Sequence, residues 1–228
     1  MPSAVVTGAN AGIGHAFAQI LVKEGYDVLA ADINVGEGLK GLGCEIVQLD
    51  VSSPASIQAF KHQVKDRPVD LLLNIAGVMA PKQQDSLETV DEQVLKNTFA
   101  INTFGPLLLT QALLPNLLKS SHARVGVMSS RMGSIEDNFT GGSYSYRASK
   151  AALNSISKSM AVDLEDKNIV VVIMHPGIVR TSLVLDSYEL KEAVEPDEAA
   201  GKLWKVLMSK DIRDTGKWWH REGQELPW

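Results

Sequence analysis

The stretch SAVVTGANAGIGHAF, residues 3–17, decides how this chain folds. Ser3-Ala4-Val5-Val6 is small and β-branched, the composition of a strand buried on both faces. Gly8, Gly12 and Gly14 follow in a GxxxGxG pattern, and then Phe17, Ile20 and Leu21 recur on one helical side. A strand, a glycine turn and a helix in that order open a βαβ unit. Gly8 permits the tight exit from the strand, Gly12 a close backbone approach, and Gly14 close packing of helix on sheet. The helix that starts here offers unpaired N–H groups, which suit the phosphates of a dinucleotide. Asn10 and Ile13 belong to the same loop. The alternative is a glycine-rich turn with no ligand; the position after the first strand and at the start of a helix favours the nucleotide.

Outward from this stretch the chain alternates. Apolar runs over 3–8, 27–32, 45–50, 69–74, 124–130 and 169–175 predict strands. Helical periodicity predicts helices over 12–23, 54–65, 87–99, 103–118, 144–164 and 196–208, and the tail 216–228 adds a last strand. Ser53-Pro54 reads as a cap followed by a first-turn proline. Strands alternating with helices give a parallel sheet covered on both faces. The expectation is a three-layer, doubly wound α/β sheet of about seven strands (a Rossmann fold) in one domain, 1–228. Its cofactor half spans about 1–100, and its catalytic and substrate half about 101–228. Ligands then bind beyond the C-terminal strand ends, at the switch point between the halves.

Composition excludes several classes. The net charge is −5 and no basic run stands out, which argues against nucleic acid. No apolar run reaches the ~18 residues of a membrane span. The N-terminus has no signal-peptide pattern. The single cysteine, Cys44, allows no internal disulfide. The reading is a cytoplasmic chain without a metal site.

The second strand ends at Asp32, where a carboxylate suits both ribose hydroxyls of adenosine and repels a 2′-phosphate. Residues 29–39 hold no basic side chain and position 11 is alanine, so NAD(H) is favoured over NADP(H). The alternative is that Asp32 only caps a turn. Asp50 and Val51 end the third strand, where a carboxylate could meet the adenine amino group. Asn74, Ala76 and Gly77 end the fourth, where small residues allow close approach.

Chemistry concentrates in GGSYSYRASKAALN, residues 141–154. Tyr146 and Lys150 stand one helical turn apart, whereas Tyr144 has Ala148 at that spacing. A free phenol titrates near 10, too high for proton exchange at neutral pH, and a nearby ammonium favours the phenolate. The pair thus makes a general acid/base. Alone, such spacing also describes an ordinary solvated helix face.

TGANAGIG, NIAG, INTFGP around Asn102, SSRMGS, YRASK and HPGIVRT occur in the order and approximate spacing of the short-chain dehydrogenase/reductase family. The chain resembles that family over essentially its whole length. SSRMGSIEDNFTGGSYSYRASKAALN and the tail DTGKWWHREGQELPW are most similar to the C-factor and sniffer type of carbonyl reductases. The resemblance implies an NAD(P)(H)-dependent oxidoreductase that interconverts a carbonyl and an alcohol. By position, Tyr146 exchanges the proton with the substrate oxygen, and Ser130 rather than Ser129 holds that oxygen. Lys150 binds the nicotinamide ribose and lowers the tyrosine pKa, and Asn102 holds a relay water. Pro176, Gly177, Val179 and Thr181 surround the nicotinamide. Three departures are visible: Ile75 replaces a polar residue of the usual NNAG, the loop Gly133–Ser143 is long, and Asp32 is unexpected where many such reductases favour NADP.

Beyond this set, His175 reads as a loop or core histidine, Arg147 as an interface residue, Tyr144 as a pocket or packing residue, and the tryptophans 218, 219 and 228 as core. The resemblance implies a homodimer or homotetramer through the helices at about 103–118 and 144–164. It also implies an open pocket lined by Met132, Phe139, Leu183 and Leu185. A cofactor-binding regulatory or signalling protein on the same fold is the rival class; a sugar-nucleotide epimerase is disfavoured because little chain remains for a second substrate domain.

Overall fold

Side chains along β1 (Ser3–Thr7) point alternately to two sides, and each side is a core. Val5 joins one apolar cluster, and Ala4 and Val6 join the other. The same alternation runs through β2 (Asp27–Asp32), β3 (Glu45–Gln48), β4 (Leu71–Asn74), β5 (Arg124–Met128) and β6 (Val170–His175). In β4, for example, Leu72 faces one cluster while Leu71 and Leu73 face the other. The computed structural model describes residues 1–183 and 192–228. With β7 (Trp218–His220) the strands form one sheet in the order β3-β2-β1-β4-β5-β6-β7, and every pairing is parallel. This is the expected three-layer architecture.

The first layer packs α3 (Pro54–Val64), α5 (Gly105–Leu117) and α6 (Tyr144–Leu164) on one face through Phe60, Leu109, Leu113 and Leu153. The second packs α1 (Gly12–Lys23), the short α2 (Glu37–Lys40) and α7 (Pro196–Ser209) on the other through Phe17, Leu21, Leu39 and Leu203. Each such fully buried side chain contributes about 1.5–3 kcal/mol by leaving water.

Local chemistry sets the boundaries. Ser53 Oγ accepts from Ser56 N at 3.3 Å, as the Ser-Pro signal predicts. After α1, Tyr26 N bonds to Leu21 O and Gly25 N to Val22 O, with Gly25 left-handed at φ 80°, a Schellman stop that returns the chain to β2. Two expected boundaries move. The helix placed at 87–99 is α4 (Glu92–Phe99): Asp91 caps it by accepting from Val94 N at 2.8 Å, and Leu87 is exposed outside it. The helix placed at 103–118 has no separate start, because α4 passes through a π-helical turn, Ala100–Phe104, directly into α5. Pattern reading also omitted α2.

At the switch point, β1 and β4 lie side by side and depart in opposite directions along the order. Thr7 Oγ1 staples their ends by accepting from Ile75 N at 3.0 Å and Ala76 N at 3.1 Å.

Candidate active site

A cavity of about 1010 Å³ opens above these strand ends, large for a ligand pocket. Gly8, Asn10, Gly12, Ile13, Gly14 and Asp32 line it, and so do Ala76 and Gly77. Ser130, Tyr146 and Lys150 line the same cavity. Pro176, Gly177, Val179 and Thr181 close one side. The elements that place them are strand ends and helix starts, which the sheet topology brings together.

The glycine turn fits a diphosphate. A Cβ on Gly14 would lie 2.1 Å from Gly8 O, so only glycine lets α1 approach β1 this closely. Gly12 is left-handed at φ 58°, with Thr181 Cγ2 only 3.1 Å from where its Cβ would stand. α1 starts without a side-chain cap, which leaves its first N–H groups for an anion. Asn10 Oδ1 is buried without a hydrogen-bond partner among the described residues, an acceptor in need of a donor. Asp32 Oδ2 accepts from Asn10 N at 3.0 Å and Oδ1 from Asn34 N at 2.9 Å. It therefore does cap the turn, while each oxygen keeps lone-pair capacity for a ribose hydroxyl. These residues fit a nicotinamide dinucleotide.

Tyr146 and Lys150 share a face of α6, with Lys150 Nζ 5.7 Å from the Tyr146 ring centre. Lys150 is buried, donates to Met128 O at 2.8 Å, and burial lowers its ammonium to about 8. Both Lys150 Nζ and Asn102 Oδ1 converge on Gly77, at 3.6 and 3.2 Å from its notional Cβ. Asn102 sits in the π-helical turn, a feature that often marks functional sites. Its amide donates to Val78 O and Ser149 Oγ and accepts from Val78 N. One lone pair of Oδ1 remains for water. Of the two serines, Ser129 turns its hydroxyl to Asn154 in the interior, while Ser130 accepts from Met132 N at 3.3 Å.

Several expected positions lie elsewhere. Asn74 is buried and donates to Thr110 Oγ1 on α5, because it shares strand parity with Leu72 and so points under the sheet. Asp50 and Val51 are not on the cavity wall: Asp50 Oδ1 accepts from Ser52 N and Oγ in the turn before α3, and Val51 is buried against Gly105. Phe139 is 86% exposed and Tyr144 41%, and neither lines the cavity; Met132 and Leu183 do, and Leu185 lies outside the described residues. Arg147 holds the loop before α6 through Gly142 O and Thr140 Oγ1. Trp218 and Trp219 are core, whereas Trp228 is half exposed and stacks on Trp218.

The motifs missed His220 and Arg221, which reach the wall from the tail. Arg221 donates to Pro176 O and Ile178 O and so braces the Gly177 turn. His175 accepts from Arg131 N through Nδ1, and burial followed by the cationic neighbours His220, Arg131 and Arg221 lowers it to about 3. It is neutral at physiological pH.

A parallel doubly wound sheet with this cavity defines a dinucleotide-binding oxidoreductase, and the family model described as short chain dehydrogenase matches residues 2–191. The chain belongs to that family and is an NAD(P)-dependent dehydrogenase/reductase acting on CH–OH or C=O groups. It is 34% identical over its full length to the full length of 1-hydroxy-2-glutathionyl-2-methyl-3-butene dehydrogenase of Rhodococcus sp. (strain AD45). C-signal of Myxococcus xanthus is 39% identical over 75% of this chain and 100% of its own. The NADPH-bound carbonyl reductase from chicken fatty liver superposes with a TM-score of 0.90 at 32% identity, covering 100% of this chain and 99% of that one. The expected likeness to C-factor and carbonyl reductases is thereby borne out.

Proposed function

We propose that this protein interconverts a carbonyl and an alcohol with NAD(H), using Tyr146 as the general acid/base. The observation that carries the reading is the convergence of Ser130, Tyr146 and Lys150 on one cavity that the glycine turn also lines. Gly8, Gly12, Gly14, Asp32 and the Pro176–Thr181 turn would hold the dinucleotide, which supplies or accepts the hydride when bound. In reduction, Tyr146 gives its phenolic proton to the carbonyl oxygen as the C–H bond forms at the carbonyl carbon. Ser130 Oγ donates a hydrogen bond to that same oxygen and fixes its position. Lys150 favours the phenolate left behind, and Asn102 Oδ1 holds water that returns the proton. The alcohol direction reverses each step.

Asp32 supports NAD(H). Its carboxylate would face a 2′-phosphate with like charge, and Lys40, just past this strand end, is tied to Glu37 at 2.6 Å. The chicken reductase binds NADPH, so this preference is the finer part of the proposal. The active assembly is a homodimer or homotetramer through α5 and α6, where exposed Leu118 at the C-cap of α5 and Val162 on α6 offer apolar surface.

A panel of aldehydes, ketones and quinones with their alcohols, run with NADH and NADPH at equal low concentration, tests the reading. NADH turns over faster, and Tyr146→Phe lowers kcat by roughly 10²–10⁴-fold while NADH affinity stays unchanged. Equal rates with NADPH remove the cofactor preference, and an active Tyr146→Phe removes the mechanism. The relative named C-signal supports a second reading, a cofactor-binding signalling protein; absence of turnover across the panel despite tight NADH binding favours it.

A further inference from the structure

The start of α6 is unusual for the helix that carries Tyr146. Gly141, Gly142 and Ser143 run left-handed in succession, at φ 62°, 66° and 50°. An ordinary cap residue is extended and turns its own oxygen onto the first N–H groups. Ser143 does neither, and its side chain makes no capping bond. The helix start is nevertheless buried, so its N–H groups need acceptors.

Those acceptors come from 60 residues earlier. Asp85 Oδ1 accepts from Ser145 N at 2.7 Å, and Oδ2 accepts from Ser145 Oγ at 2.8 Å and from Tyr146 N at 3.3 Å. Thr98 Oγ1, on α4, adds a bond to Ser145 Oγ at 3.2 Å. Asp85 is 1% exposed and forms no salt bridge with a described residue. A buried carboxylate is costly unless its charge is answered. Here it is answered by the positive end of the catalytic helix and by one hydroxyl. Asp85 closes a short 3-10 turn (Lys82–Gln84) in the segment that follows cavity residues Gly77 and Met79. One end of this segment touches the cavity and the other holds the backbone of Tyr146.

We infer that Asp85 is a positioning residue for Tyr146; the inference rests on the proposed role of that tyrosine. A bond to the Tyr146 N–H fixes its Cα along and across the helix axis, and with it the reach of the phenol. A displacement of about 1 Å at a reacting group costs on the order of 10²-fold in rate. The carboxylate acts through the tyrosine and touches no reacting atom.

Asp85→Asn tests this, because it keeps the shape but turns an amide N–H₂ toward the N–H donors of α6. The carbonyl probe is benzil, or the fastest carbonyl compound of the panel, with saturating NADH. The expected result is a kcat lower by about 10–100-fold, with the KM for the carbonyl and the NADH Kd from fluorescence both within about twofold. A kcat within twofold of the parent overturns the inference. So does a matched loss of kcat and NADH affinity, which a general loosening of the fold would give. If Asp85→Asn does not fold, Ser145→Ala removes the hydroxyl's bonds to Asp85 and Thr98 and leaves the two N–H bonds to Asp85. It lowers kcat by about 2–10-fold, the share of the hydroxyl bond to Asp85, and an unchanged kcat there overturns the role. Tyr146→Phe measured alongside separates the two ideas. If it stays active, the acid/base reading fails; if it is dead beside a fully active Asp85→Asn, only the positioning role fails.

Discussion

Lys150 shows how one buried group sets two opposite pH dependences. Burial lowers its ammonium from an ordinary 10.5 to about 8. Below about pH 8 the cation is present beside Tyr146, and above it the cation is lost. The kcat/KM for NADH, which reports the free enzyme, is therefore expected to fall as pH rises through about 8. A profile flat to pH 10 would show that the Lys150 charge is not used. Stability runs the other way. Between about 8 and 10.5 the unfolded chain binds a proton that the fold does not, so the contribution of this group grows with pH, by at most about 1.4 kcal/mol per unit. The Tyr146–Lys150 pair was legible because both residues lie on one helix, where spacing fixes neighbours. Asp85 was not, since no local pattern links it to Ser145. The internal partners of Asn74 and Asp50, Thr110 and Ser52, were hidden for a related reason. A polar residue at a strand end announces the end, but strand parity and the next turn decide which way it points.

The helices were legible where their ends carry cap chemistry and blurred where apolar residues continue past it. Leu87 extended the apparent apolar pattern, yet Asp91 is the acceptor for Val94 N. Asp91→Ala is expected to cost about 1 kcal/mol and to lower Tm by about 2–4 °C, with Asp91→Asn recovering most of it. An unchanged Tm in Asp91→Ala would mean that α4 is held by packing alone. The π-helical turn after α4 leaves no mark in composition, because it differs from an α-turn by one residue in the hydrogen-bond ladder. It matters nonetheless, as it carries Asn102 to Val78 and Ser149.

At the scale of the whole molecule, the parallel sheet and both cores follow from apolar runs buried on two faces, which is why the layered architecture was readable, while the strand order came only with the pairing. Contacts between distant segments were the unreadable part. The tail bracing the Gly177 turn through Arg221 is one example. Assembly is the other expectation at this scale. Light scattering at working concentration should give two or four times the 24.7 kDa chain mass, and a monomer would remove the proposed role of α5 and α6.

The four tryptophans, 204, 218, 219 and 228, all follow residue 200. Trp218 and Trp219 lie on β7, an edge strand, and Trp228 stacks on Trp218, while Trp204 on α7 packs against Tyr26 just before β2. Intrinsic fluorescence is therefore a local lamp in this protein: it reports whether the segment from α7 onward has docked, while far-ultraviolet dichroism reports the sheet and helices as a whole. Following both signals during refolding times the docking of residues 200–228 against the rest of the fold.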